Sequence, residues 1–176
     1  GGTILNAYPN PGSVIATNVN AWTEGENVET GNFAVKLELN EMGEAQGYLV
    51  YVWNLSDGDE VTVSFSRYTE EGGATVLIGG HWNDELPMDP DAITGDAGGN
   101  DDAGMTGAWE ETSYTWTVAG NTGLVIEARL AGEAGQRVWL DNLTVMAPDM
   151  ASIQIPGCSP VGTEMSTLSG VKTLFR

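Results

Sequence analysis

The residue types that do chemistry are few in this chain. His81 is the only histidine, so a nucleophile-base-acid hydrolase would have to be built on it. No G-x-S-x-G, H-E-x-x-H, phosphate-loop or G-x-G-x-x-G pattern surrounds it. The single cysteine, Cys158, cannot form an intrachain disulfide, and its Ser/Gly/Pro-rich surroundings do not read as those of a catalytic thiol. Glycoside cleavage needs one carboxyl kept protonated and another ionised, and nothing in the sequence singles out such a pair. The sequence therefore predicts no catalytic residue and no enzyme.

Recognition chemistry is better supplied. Six tryptophans stand in a chain of 176 residues, a large area of flat, amphipathic ring surface. Trp53 and Trp116 lie inside apolar-rich strands and read as core. Trp139 differs: in RVWLDNLTV, Val138 and Leu140 are the natural inward residues, so alternation sends Trp139 to the opposite face. In TGLVIEARL the same reasoning turns Leu124, Ile126, Ala128 and Leu130 inward and Glu127 and Arg129 outward. With Val61, Val63 and Phe65 inward, Tyr68 faces out, while Arg67 at the strand end is ambiguous. A face bearing Trp139, Glu127, Arg129, Tyr68 and Trp82 offers what a sugar ring requires: an indole for its CH face, and carboxylate and guanidinium groups for its hydroxyls. The plain alternative is a solvated face on which Glu127 and Arg129 pair incidentally.

Acidic groups raise the question of a cation. The segment from His81 to Met105 carries Asp84, Glu85, Asp89, Asp91, Asp96, Asp101 and Asp102 among glycines. These are oxygen ligands of the kind calcium takes, without the spacing of an EF-hand. Asp141 is the sharper case, because it interrupts the apolar run VWLDNLTV. Burying a carboxylate without partners is costly, so Asp141 must face water, accept several hydrogen bonds or coordinate a cation.

The elements that hold these residues read as all-β. Glycine is 24 of 176 residues, helical periodicity is absent, and apolar residues come in short runs bounded by turn signals. Strands are predicted at Val14–Thr17, Phe33–Leu39, Tyr48–Leu55, Glu60–Tyr68, Thr75–Gly79, Glu111–Val118, Leu124–Leu130 and Arg137–Met146. Eight such strands predict a two-sheet antiparallel sandwich or jelly roll. The turns at Asp57-Gly58-Asp59 and Ala119–Gly123 suggest that the strands they join are antiparallel neighbours. Residues 83–110 are too long and too rich in Asp and Gly for a simple hairpin and read as a long loop, functional or poorly ordered. Residues 1–148 are expected to form the sandwich, and 149–176 a linker or extension whose apolar pieces, SIQIP and KTLFR, suit an added strand on a neighbouring copy.

The order of pieces ETGNFAVKLEL, GYLVYVWNLSDGDEVTVSFSRY, WEETSYTWTV and GLVIEARLAGEAGQRVWLDNLTV resembles the jelly-roll carbohydrate-binding modules that accompany xylanases and glucanases. The likeness covers about Thr30 to Ala147 and rests on fold-determining residues, the closing D-N strand above all. It implies a non-catalytic polysaccharide-binding module. It also implies that Asp141, at the matching position of the D-N pair, helps hold a structural calcium near the start of the chain. The N-terminal element that partners it in such modules is represented here only by Asn6-Ala7-Tyr8-Pro9-Asn10, without a glutamate. A hydrogen-bonded structural role for Asp141 stands beside the calcium one.

Charge narrows the partner. With 25 acidic against 6 basic residues, a formal charge of −19 repels phosphate backbones and anionic lipid, so neutral polysaccharide is expected, not nucleic acid or membrane. No apolar run is long enough to span a bilayer. A start without Met, GGTILN, is expected of a processed or excised chain and suits a secreted, extracellular protein. The competing expectation is a structural subunit of an extracellular filament, surface layer or matrix, assembled from copies of itself through the tail.

Overall fold

The computed structural model describes residues 5–8, 13–20, 27–84, 93–104, 106–155 and 172–173. Among them no helix occurs. The strands are β1 (Leu5–Tyr8), β2 (Val14–Asn20), β3 (Phe33–Leu39), β4 (Gly43–Trp53), β5 (Glu60–Thr69), β6 (Thr75–Asn83), β7 (Ile93–Asn100), β8 (Trp109–Thr117), β9 (Gly123–Gly132), β10 (Arg137–Met146), β11 (Ser152–Gln154) and β12 (Lys172–Thr173). They form two sheets. The first runs β1-β4-β9-β6-β7 with β11 also on β4, and the second β2-β3-β10-β5-β8 with β12 also on β10. From β7 to β12 successive strands alternate between the sheets, the crossing pattern of a jelly-roll sandwich.

Alternation fills the space between the sheets. Val35, Leu37 and Leu39 of β3, Val61, Val63 and Phe65 of β5, Leu124, Ile126, Ala128 and Leu130 of β9, and Val138, Leu140, Leu143 and Val145 of β10 share one core. Trp116 belongs to it, as expected, and its Nε1 donates to Gly98 O at 3.3 Å. Arg67 also turns inward and is buried. Its Nη1 donates to Val76 O at 2.7 Å in the opposite sheet and to Asp102 O, and its Nη2 lies 3.4 Å from Glu110 Oε2. A guanidinium thereby closes one end of the core, its charge met by carbonyl and carboxylate oxygens.

Two expectations are corrected here. Residues 83–110 are not one loop, because Ile93–Asn100 pairs antiparallel with β6 as β7. The sequence ITGDAGGN has little strand propensity. Its glycines let it come close: a Cβ on Gly99 would stand 2.1 Å from Ile78 O. The two turns do not join antiparallel neighbours, since each carries the chain from one sheet to the other. They dock on one another instead, Gly58 N donating to Val118 O at 2.9 Å and Val118 N to Asp59 O at 2.8 Å. Strand pairing also continues past residue 148: β11 lies against Tyr51–Trp53 of β4, and Lys172 and Thr173 pair with Val145 and Thr144 of β10. Ile153 packs on the core. Cys158, Glu85, Asp89 and Asp91 lie outside the described residues.

Candidate ligand-binding site

The outward face of the first sheet gathers the polar side chains. In register across it stand Tyr48 of β4 and Glu127 of β9, Gln46 and Arg129, Tyr51 and Val125, and, on β6 and β7, His81 and Asp96. A bulge at Leu49 lets Tyr48 and Tyr51 share this face although they are three residues apart. Tyr48, Tyr51 and Val125 form an apolar floor, with Trp53 and Ile93 packed on it.

Glu127 is fully buried, at 0 % exposure, on this face. Arg129 Nε and Nη2 both lie 2.8 Å from Glu127 Oε1. His81 Nε2 lies 3.1 Å from Glu127 Oε2 and 3.3 Å from Gln46 Oε1. Gly79 makes the hollow for this pair, since a Cβ there would meet Glu127 Oε1 at 2.9 Å. Arg129 reaches on to Asp96 Oδ1 at 3.4 Å, which also accepts Gly98 N at 3.1 Å. Partial burial opposes ionisation of Asp96, but the Gly98 N–H and the Arg129 guanidinium outweigh it and lower its pKa. Burial likewise opposes the charge of Arg129, and Glu127 and Asp96 outweigh it, so its pKa rises. Burial pushes the Tyr51 phenol up to about 12, and its hydroxyl has no hydrogen-bond partner among the described residues.

This arrangement suits recognition. An acid catalyst needs a raised carboxyl pKa, and Asp96 is shifted the other way. What reaches solvent is a row of fixed hydrogen-bonding groups, Gln46, His81, Arg129 and Asp96, beside the half-buried indole of Trp53.

The structure divides the predicted face. Glu127 and Arg129 are together as expected, but Trp139 and Tyr68 stand on the outward face of the other sheet. Trp139 does point away from the core, yet it is only 2 % exposed. Tyr68 meets it edge-on at 5.7 Å, and Ala34, Val28 and Trp109 pack around them. Its indole is therefore no stacking platform. Trp82 is corrected too: it pairs with the inward Leu124 and packs against the core, on the opposite side of β6 from His81. Trp53, read as core, is the aromatic beside the polar row. The bulge at Leu49 reversed the parity that alternation would have given it.

Asp141 answers its question with hydrogen bonds. It is fully buried at a bulge in β10 where Asn142 takes φ 52°. Its Oδ2 accepts Glu29 N at 3.1 Å and Thr30 N at 3.0 Å, and its Oδ1 accepts Asn142 N at 2.7 Å. Asn142 completes the clamp, donating to Glu29 Oε2 and accepting from Thr30 Oγ1, both at 2.7 Å. Both carboxylate oxygens of Asp141 are thus engaged by backbone N–H groups, which is the hydrogen-bonded arrangement set beside the calcium one above. Asp102 serves Arg67 and accepts Gly104 N at 2.9 Å, while Asp101 is exposed. Among the described residues no group of three or more His, Cys, Asp or Glu side chains is placed to hold a metal ion. No described helix is long and apolar enough to cross a membrane.

No family model and no curated protein matches the sequence. Solved structures do match. The xylan-binding CBM22-1 domain of Paenibacillus barcinonensis Xyn10C superposes with a TM-score of 0.54 at 13 % identity, over 84 % of this chain and 85 % of that one. The Clostridium thermocellum xylanase 10B CBM22-1–GH10 structure, complexed with xylohexaose, gives 0.50 at 15 % identity, over 76 % of this chain and 24 % of that one. The chain has the β-sandwich fold of carbohydrate-binding modules. The expected resemblance is thus shown at the level of fold, and in this sandwich the polar row lies across the outward face of the sheet containing β4, β9, β6 and β7.

Proposed function

We propose that this chain is a non-catalytic, extracellular module that binds a neutral polysaccharide across the outward face of its first sheet. The observation that carries this reading is the row Gln46–His81–Arg129–Asp96, held rigid by buried Glu127 and set beside the half-exposed Trp53. Sugar hydroxyls need donors and acceptors already fixed in place, so that little conformational entropy is lost on binding. A net charge of −19 disfavours anionic glycans and leaves neutral ones. Solved neighbours of the same fold include a xylan-binding domain, which puts xylan first in a panel of neutral polysaccharides.

Calorimetric titration of the full chain with soluble xylan, mixed-linkage β-glucan and galactan, and with polygalacturonate as the anionic control, tests the reading. Binding to at least one neutral polymer is expected, weakened about tenfold by Gln46→Ala, which is about 1.4 kcal/mol. Tight binding to polygalacturonate alone, or a neutral glycan bound equally by Gln46→Ala and Asp96→Ala, would refute it.

A further inference from the structure

At the end of the first sheet where β4 and β6 finish, the surface opens into a cleft of about 320 Å³, lined among others by Trp53, Asn54, Ser56, Asn83, Asp84 and Thr122. Its wall is built with care for backbone position. Gly123 has no room for a side chain, since a Cβ would stand 2.1 Å from Asn83 O. Asn54 holds a left-handed φ of 61°, a conformation that costs energy for a residue other than glycine and concentrates at ligand clamps. Strand β11 fixes it there: Ser152 pairs with Trp53, and Asn54 Nδ2 donates to Ser152 Oγ at 3.0 Å.

The hydrogen-bonding capacity of the cleft is only partly used. Asp84 Oδ1 accepts Thr122 N at 2.6 Å and Thr122 Oγ1 at 3.3 Å, while Oδ2 of this exposed side chain takes no hydrogen bond among the described residues. Ser56 gives its N–H to Asp59 Oδ2 at 2.8 Å, and its hydroxyl has no partner among them. The cleft thus joins one indole to the Asp84 Oδ2 and Ser56 hydroxyl oxygens and to the side-chain amide of Asn54, which Ser152 holds in place. Its volume is at the small end of the ~300–1,000 Å³ typical of small-molecule sites, enough for a sugar unit or two and too little for a long stretch of chain.

We infer that this cleft is an end subsite of the sheet-face site, sharing Trp53 with it, which takes one or two rings of a neutral oligosaccharide. Trp53 covers the CH face of the ring, and Asp84 Oδ2, Asn54 and Ser56 meet its hydroxyls. The subsite rests on the reading that the ligand is a neutral glycan and adds where a short one binds. It also gives β11 a role in the site, as the strand that positions Trp53 and Asn54.

The test uses the full chain and a ladder of neutral oligosaccharides from monosaccharide to hexasaccharide, taken from the polymer that binds best. Titration calorimetry is combined with the ¹H–¹⁵N signal of the Trp53 indole. Native protein is expected to bind the disaccharide and shift that signal. Ser56→Tyr, which fills the cleft, is expected to weaken the disaccharide at least tenfold with an unchanged melting temperature. Asp84→Asn, a smaller change, is expected to weaken it about threefold. If the native chain binds its polysaccharide but both variants bind every oligomer within twofold of native, the cleft is overturned and the sheet-face reading stands, whether or not the indole signal moves. If the native chain binds no neutral glycan, both are overturned.

Discussion

Replacing Asp141 by alanine should be among the most destabilising single substitutions available in this sandwich. Three backbone N–H groups, those of Glu29, Thr30 and Asn142, point at its carboxylate from 2.7 to 3.1 Å. A hydrogen bond to a charged group contributes about 1.5–3 kcal/mol net, and an orphaned N–H costs about as much as the bond it lost. Glu29 and Thr30 are exposed residues, so water repairs part of the damage there. Taking the lower figure for each bond and discounting for water gives a loss of about 3–4 kcal/mol, a large share of the ~5–15 kcal/mol of a typical domain. For a chain of this size that is a fall in Tm of roughly 6–15 °C. Asp141→Asn should cost about half as much, because an amide oxygen can still accept Glu29 N and Thr30 N while its NH₂ opposes the Asn142 N–H. Urea unfolding and calorimetry, each with and without EDTA, measure these effects. Native and variant should both be indifferent to EDTA. A loss below about 1 kcal/mol for the alanine variant would refute the clamp, and an EDTA effect on native protein as large as the substitution would mean that Asp141 works through a cation.

Other consequences can be measured alongside. Tyr51→Phe removes a buried hydroxyl that has no partner among the described residues, so stability should stay level or rise by up to ~1 kcal/mol; a loss above that would reveal a hydrogen bond. Its phenol, pushed up to about 12, makes a contribution that is fully present below the ordinary tyrosine value near 10 and is lost as pH rises through 12. Absorbance titration near 295 nm should therefore show a late-ionising tyrosine that disappears in Tyr51→Phe. Asp96 has a lowered pKa, so its contribution is present above about pH 4 and is lost as pH falls through the folded value. Its exposure, 63 %, keeps this below ~1 kcal/mol, and Asp96→Asn should flatten the acid limb of the stability curve by that amount. Ending the chain at Pro148 removes the β11 ladder and the packing of Ile153, and should cost about 2–3 kcal/mol in urea unfolding and blunt the response of Trp53 fluorescence to sugar. An unchanged midpoint would show that β11 contributes nothing.

Much of the fold was legible because strand periodicity is local. Phe33–Leu39 and Arg137–Met146 appear with the bounds read from the sequence, and the inward residues of β5, β9 and β10 are those that alternation chose. β7 escaped because its sequence, half glycine and small polar residues, carries no such signal; it is a strand through its pairing with β6. Trp53 escaped because one extra residue, Leu49, exchanges the faces of everything after it, and a bulge is invisible to a period of two. Glu127 and Arg129 were found because they stand two apart on one strand, while their companions His81 and Gln46 come from different strands.

By itself the sequence determined which side of each strand is apolar, because a side chain's face is fixed by its immediate neighbours along the backbone. Only the tertiary structure decided which sheet each strand joins and what then lies above its other side. Trp139 and Glu127 both point outward, as alternation requires, yet both are buried, one beneath Tyr68 and its neighbours on the second sheet and the other within a polar network on the first. Direction is a property of the strand, whereas exposure depends on contacts between residues far apart in the chain.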